Sequence, residues 1–117
     1  MKPAPIKPLV TVDQLSALDI RVGTILSVHD VPNSTKLARF VVDFGDHERM
    51  VLAGMKQERA HLEELVRKQA LFVVNLEPRK MAGLVSEAMF FDLGYLDGIA
   101  PALAVPEREV PNGTRAG

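Results

Sequence analysis

The stretch between residues 75 and 89 carries the side chains best suited to binding a polar ligand. Asn75 ends a very apolar run, Arg79 and Lys80 follow it closely, and Ser86 opens the next apolar stretch. An amide, a hydroxyl and two cations supply the hydrogen-bond donors, acceptors and positive charge that hold phosphate groups. If a preceding strand lies on the same face, two further cations join the set: Lys36 and Arg39.

A simpler interpretation of the same residues is a capped hairpin with an exposed basic turn, and composition alone favours it. Aromatic side chains, on which unpaired bases stack, are scarce, with one Tyr, five Phe and no Trp. Most of the Phe residues fall at apolar strand positions, where we expect them to be in the core.

Catalytic and metal-binding chemistry find little support in the sequence. No Cys is present, and no two of the three His residues are spaced three or four residues apart, so a zinc site is not indicated. The acids near the turn at 43–48 lack the spacing of a calcium loop, and we interpret them as solvated. Neither a Gly-x-Ser-x-Gly frame nor a phosphate-binding glycine loop occurs. We therefore expect a protein that is not an enzyme and that needs no metal or cofactor.

Composition narrows the class of protein further. The 117 residues are 47% hydrophobic and 25% charged, which suits one globular domain. The absence of Cys fits a reducing compartment, and no apolar run is long enough to span a bilayer, so we expect a cytoplasmic protein without membrane insertion. With 14 Lys and Arg against 15 Asp and Glu, the formal charge is −1. This near-neutral charge argues against a protein that binds nucleic acid over its whole surface.

Periodicity predicts the elements that must position these side chains. Residues 1–10 alternate Pro and Lys with small residues and predict a flexible arm, while residues 11–117 form the domain. Thr11 and Gln14 are spaced as a capping box at the start of a short helix. Gly23 marks a bulge or bend in the first strand. An amphipathic helix is predicted at 57–68, a basic loop at 78–83, and strands at 20–28, 37–44, 48–53, 70–76 and 86–93.

Five strands with a helix between the third and fourth predict an all-β protein with short helices, a five-stranded Greek-key barrel of the OB-fold type. Such a small barrel gains by covering its exposed edges. The apolar N-terminal helix and the segment 99–105 are the covers that the sequence offers.

Three ordered motifs resemble the tRNA-binding domain family, over about residues 12–115. They are Leu18-Asp19-Ile20-Arg21-Val22-Gly23-Thr24-Ile25, Pro32-Asn33-x-x-Lys36-Leu37, and Asn75-Leu76-x-Pro78-Arg79-Lys80-Met81-x-Gly83-x-x-Ser86-x-x-Met89. Within the family, the likeness is closer to the stand-alone CsaA-type secretion chaperones. The segments that resemble this branch are Asp43-Phe44-Gly45, Gly54-Met55-Lys56-Gln57 and Glu109-Val110-Pro111-Asn112-Gly113-Thr114.

The resemblance implies an OB-fold and a homodimer that binds unfolded or presecretory polypeptides and assists protein export, with tRNA as a further ligand. The alternative is a stand-alone protein that recognises tRNA shape through the basic loop. The implied tRNA or ligand site, with Arg39 added from the basic surface, is Lys36, Arg39, Asn75, Arg79, Lys80, Ser86 and Met89. For polypeptides, an adaptable methionine surface would comprise Met55, Met81 and Met89; alternatively, these Met residues fill core gaps or the dimer seam.

This sequence departs from the family pattern at one place. The common Ser-x-Gly-Met appears as Ser86-Glu87-Ala88-Met89, which loses a glycine and sets an acid beside the implied site. Because a carboxylate repels phosphate and the whole chain is close to neutral, the sequence ranks polypeptide binding ahead of tRNA binding.

Overall fold

The computed structural model describes residues 2–117 and is dominated by short antiparallel strands. One helix, α1 (Val12–Ser16), precedes them, and two 3-10 helices lie at Leu62–Leu65 and Tyr95–Asp97. The strands are β1 (Ile20–Asp30), β2 (Ala38–Asp43), β3 (Glu48–Ala53), β4 (Gln69–Val73), β5 (Arg79–Met81), β6 (Leu84–Ser86), β7 (Met89–Phe90), β8 (Asp92–Leu93), β9 (Ala102–Leu103) and β10 (Arg115–Ala116).

The main sheet has the order β3-β2-β1-β4-β7, with β10 added against the start of β1. The long strand β1 serves both halves of this curled sheet, since Thr24–Asp30 pairs with β2 and Ile20–Thr24 pairs with β4. The predicted all-β barrel of the OB type is confirmed, and its first three strands lie close to the expected positions.

Side chains as well as backbone close the barrel where β3 meets the segment after β6. The Glu87 backbone N–H donates to the Met50 carbonyl at 2.8 Å, and the Glu87 carboxylate accepts from the Met50 N–H at 3.0 Å. The Ser86 hydroxyl accepts from the Leu52 N–H at 3.0 Å. These bonds satisfy groups that an open sheet edge would leave unpaired.

Four of the five Phe residues pack in the barrel interior, as the strand pattern predicts. Phe72 and Phe90 have ring centroids 4.6 Å apart, and Phe40 meets Phe90 edge-on at 5.0 Å. Phe44 contacts Phe72 edge-on at 5.4 Å. The cluster joins β2, β4 and β7 in one core.

Of the two interpretations of Gly23, the bulge is wrong, since it lies between Ile25 and Ser27. Gly23 does stand next to Thr24, where β1 changes from pairing with β4 to pairing with β2. What Gly23 provides is close packing. A Cβ added there would lie 2.6 Å from Val42 Cγ1 and 2.9 Å from the Phe44 ring, so a side chain at this position would collide with the core.

Three further predictions are wrong in their local detail. The helix expected at 57–68 is reduced to the 3-10 turn Leu62–Leu65, because only Leu65 is buried and the next residue, Val66, takes an extended conformation with ψ 133°. The loop expected at 78–83 is the hairpin β5–β6, whose turn places Ala82 and Gly83 at positive φ. The strand expected at 86–93 is divided between the end of β6, β7 and β8.

The N-terminal segment lies outside the core. Residues 2–10 carry no secondary structure and are exposed, and α1 buries none of its residues. The predicted capping box is confirmed, with Thr11 and Gln14 bonding each other's backbone N–H. Among residues 2–117, no helix is long and apolar enough to cross a membrane.

Candidate nucleic-acid interface

A groove of about 860 Å³ runs along the end of β3 and is walled by the segment 89–97. Three of the predicted ligand-binding residues, Lys36, Arg79 and Met89, line it together. Lys36 comes from the loop between β1 and β2, and Arg79 begins the hairpin that follows β4. In OB-folds, this combination of strand face and loops is the surface that binds oligonucleotides and oligosaccharides.

Two exposed aromatic rings face the same groove, and sequence reasoning missed them. Phe91 is 44% exposed and Tyr95 is 69% exposed. Adjacent residues of a strand point to opposite faces, so the pair Phe90 and Phe91 could not both enter the core. The Phe90-Phe91 pair was therefore the sequence signal for an exposed ring. That ring, Phe91, is able to stack on a ligand.

Acidic side chains occupy part of the groove wall. Glu58, Asp92 and Asp97 line it, so two cations face three carboxylates. Partial burial, together with repulsion from the Asp92 charge, raises the pKa of Glu58 above its ordinary value. The groove therefore offers positive charge at Lys36 and Arg79, and hydrogen-bond acceptors elsewhere.

Lys56 holds the loop that presents Lys36. Its ammonium donates to the carbonyls of Val31 and Ser34, at 3.1 and 2.6 Å, and forms an ion pair with Asp30. The Lys56 backbone N–H also donates to the Lys36 carbonyl at 3.1 Å. Lys56 thus holds the backbone of Lys36 in place, and its own charge is paired with Asp30.

Two other predicted residues use their polar groups in hydrogen bonds within the fold. Asn75 accepts from the Asp19 N–H at 2.8 Å and donates to the Ala17 carbonyl at 2.7 Å, which ties the end of α1 to the end of β4. Ser86 is 6% exposed, and its hydroxyl donates to the Ala88 carbonyl at 2.9 Å as well as accepting from β3. The structure does not bring these two residues into the groove.

The remaining candidates are dispersed. Arg39 is half-buried on β2, opposite Leu52 of β3, and Lys80 is exposed on the hairpin. Met55 belongs to the core cluster and is 3% exposed, and it lines the groove together with Met89. Met81 is half-buried on β5 and does not line the groove. The three methionines do not form one exposed surface, since only Met89, at 44%, is substantially exposed.

The sequence model of the family described as "Putative tRNA binding domain" matches residues 20–115 of the chain. The methionine–tRNA ligase of Parabacteroides distasonis is 42% identical over 113 residues, which are 97% of this chain. The chain belongs to the tRNA-binding domain family. It covers only 16% of that synthetase, so the match concerns this domain and not the ligase as a whole.

Solved structures that resemble this chain agree with this membership. A methionyl-tRNA-synthetase-related protein from Pyrococcus horikoshii superposes with a TM-score of 0.86 and is 32% identical, over 95% of this chain and 100% of that one. The chaperone CsaA from Bacillus anthracis superposes at 0.80 and is 28% identical, over 94% and 100% of the two chains. The resemblance read from the motifs is confirmed for the family, and CsaA proteins are among its structural neighbours.

The departure from the family's Ser-x-Gly-Met pattern has a structural explanation. The Glu87 carboxylate is bonded to the Met50 N–H of β3, and Ala88 is 8% exposed and packs against the core. Glu87 does not line the groove. The acid that appeared to oppose phosphate binding serves in closing the barrel.

Proposed function

We propose that this domain binds tRNA, with an unpaired segment of the RNA seated in the groove. The observation that carries the proposal is that two cations, Lys36 and Arg79, share one groove with two exposed rings, Phe91 and Tyr95. Cations neutralise backbone phosphates, and aromatic faces accept stacked bases whatever their sequence, at about 1–3 kcal/mol per base. The match to tRNA-binding sequences supports this function over polypeptide binding, which the sequence alone ranked first.

The near-neutral net charge limits how the RNA is held. With a formal charge of −1, the domain has no general electrostatic attraction for RNA, so affinity must come from a few local contacts. Each phosphate contact that is lost should reduce the slope of log affinity against log salt by about one.

The test is a titration of labelled tRNA at several salt concentrations. We expect Arg79→Ala to lower the salt slope by about one, whereas Lys80→Ala, which removes the neighbouring cation outside the groove, should change it less. Tyr95→Ala should weaken binding about 5- to 150-fold, the equivalent of one lost stacking contact. Leu96→Ala is its matched control, because this exposed groove residue has no ring. Equal effects of each variant and its control would refute the groove as the site.

We further propose that the domain acts as a homodimer. Large apolar side chains are left exposed along the arm and α1, at Ile6, Leu9, Val10, Val12, Leu15 and Leu18, with 45–96% exposure. A five-residue helix that buries nothing is not stable alone, and large apolar patches on a protein surface mark contacts with a partner. Leu15→Asp should therefore give a monomer by analytical ultracentrifugation; a dimer that survives would exclude α1 from the interface.

Polypeptide binding in the same groove is the second candidate function. It is favoured by the exposed apolar side chains of Met89, Phe91, Leu93 and Leu96, which could receive an unfolded or presecretory chain. The likeness to CsaA, a chaperone, supports it. If both ligands use the groove, an unfolded precursor should displace tRNA. Either activity would be exercised in the cytoplasm, where we place the protein.

A further inference from the structure

A second concavity lies away from the groove and is distinctly cationic. It has a volume of about 430 Å³ and is lined by Arg67, Lys68 and Arg108, with one carboxylate, Glu109. It shares no lining residue with the groove, in which carboxylates outnumber cations. Its other walls are apolar or neutral: Thr24, Gln69, Val105 and Pro106.

The cations of this concavity are not used to stabilise the fold. Within residues 2–117, the side chains of Arg67 and Lys68 form no hydrogen bond or ion pair, and Arg108 has one exposed ion pair, with the adjacent Glu107 at 4.0 Å. Three cations gathered around one hollow repel one another, and an anion placed between them would relieve that repulsion.

The backbone holds Arg67 in an unfavourable conformation. Its φ of 75° lies in the left-handed region, which glycine adopts readily and which strains the backbone of a residue with a side chain. The Arg67 N–H donates to the Ile25 carbonyl at 2.6 Å, which fixes this conformation against β1. An arginine in this conformation lowers the stability of the fold, whereas a glycine would not. Residues with such backbone strain cluster at functional sites.

The walls around the cations are held by specific bonds. Gln69 Nε2 donates to the Val110 carbonyl at 2.6 Å and to Asn112 Oδ1 at 2.9 Å, and its Oε1 accepts from the Val110 N–H at 3.2 Å. This clamp joins the C-terminal segment to β4, and with it the wall that carries Arg108. The hollow is thereby formed before any ligand arrives.

We propose that this cationic concavity binds a backbone phosphate of the tRNA, at a position separate from the groove. Guanidinium and ammonium groups together form strong charge-assisted hydrogen bonds to phosphate oxygens. The inference rests on the proposed tRNA binding and adds a second contact to it. It also gives a chain with a net charge of −1 a local source of electrostatic affinity, since three of its 14 Lys and Arg residues line this hollow.

The test uses a double variant that removes charge without adding strain. Arg67→Gly suits the left-handed backbone, so combined with Lys68→Ala it should leave Tm close to that of the wild type. Titration of labelled tRNA against salt should then show a slope lower by about one, because one phosphate contact is lost. Arg108→Ala should lower it by about one. Lys2→Gln, which removes an exposed cation of the arm, is the matched control and should leave the slope unchanged.

Other ligands are separated by further arms of the same experiment. If inorganic phosphate shifts the backbone amide signals of residues 67–69 at millimolar concentration, while the double variant binds tRNA as the wild type does, the hollow is a small-anion site and the tRNA contact is refuted. If an acidic polypeptide binds the wild type but not the double variant, while both proteins bind tRNA with the same salt slope, the ligand of the hollow is a protein and the proposal is equally overturned. If the double variant keeps the wild-type salt slope while Arg79→Ala lowers it, this inference is rejected and the proposed function stands. Failure of the wild-type protein to bind tRNA at low salt would reject the proposed function.

Discussion

Replacing Ser86 with alanine should lower the stability of the barrel rather than its affinity for RNA. The Ser86 hydroxyl accepts from the Leu52 N–H at 3.0 Å and donates to the Ala88 carbonyl at 2.9 Å, and both Ser86 and Leu52 are at most 6% exposed. In Ser86→Ala, the buried N–H of Leu52 loses its partner, which costs about 1–3 kcal/mol. We expect a loss near 2 kcal/mol, which corresponds to a fall in Tm of roughly 6–12 °C in a domain of this size.

Urea unfolding of Ser86→Ala gives the free energy, and a tRNA titration well below Tm gives the affinity of the folded protein. Ser27→Ala is the matched control, because its hydroxyl bonds the exposed His29 ring and its loss should cost less than about 0.5 kcal/mol. If Ser86→Ala unfolds like the wild type yet binds tRNA tenfold more weakly, Ser86 contacts the RNA and our structural assignment is wrong.

Three further predictions concern the loop, the core and the groove wall. Lys56→Met should speed amide hydrogen exchange in residues 31–36 and weaken tRNA binding several-fold, because Lys36 loses its support; unchanged exchange would contradict this. Gly23→Ala should destabilise the domain by about 1–3 kcal/mol in thermal unfolding, since the new methyl group meets Val42, and no change would show that the core yields. Glu58→Gln should raise stability at pH 7, because the folded pKa of Glu58 is raised and its ionised form is disfavoured in the fold. Urea unfolding should show this gain vanishing as the pH falls below about 4.5, the ordinary value; a gain that persists in acid would exclude the carboxylate's charge as its cause.

Local periodicity was sufficient to predict the elements that depend on neighbouring residues. The capping box at Thr11 and Gln14 and the strand Glu48–Ala53 occur as expected, since spacing along the chain determines both. The C-terminal end of the helix predicted at 57–68 is prevented by a tertiary contact. Arg67 is held in a left-handed conformation by its bond to Ile25 of β1, a partner 42 positions earlier in the sequence.

The roles of individual site residues were harder to predict, because their partners are distant in sequence. Asn75 bonds residues 56 and 58 positions away, and Ser86 bonds Leu52, which is 34 positions away. Motif likeness could mark both as important without showing that their polar groups serve the fold. Lys36 and Arg79 were predicted as cations of one surface, and both line the groove; that they bind a ligand stays a prediction.

The most direct test of the central claim is to titrate tRNA into isotopically labelled protein and follow the backbone amide signals by NMR. If the groove is the RNA site, the amides of Lys36, Arg79 and the segment 89–97 should shift or broaden as the complex forms. If the complex forms while these groove amides keep their free positions, the tRNA is bound elsewhere and the assignment of the groove as the RNA site is contradicted.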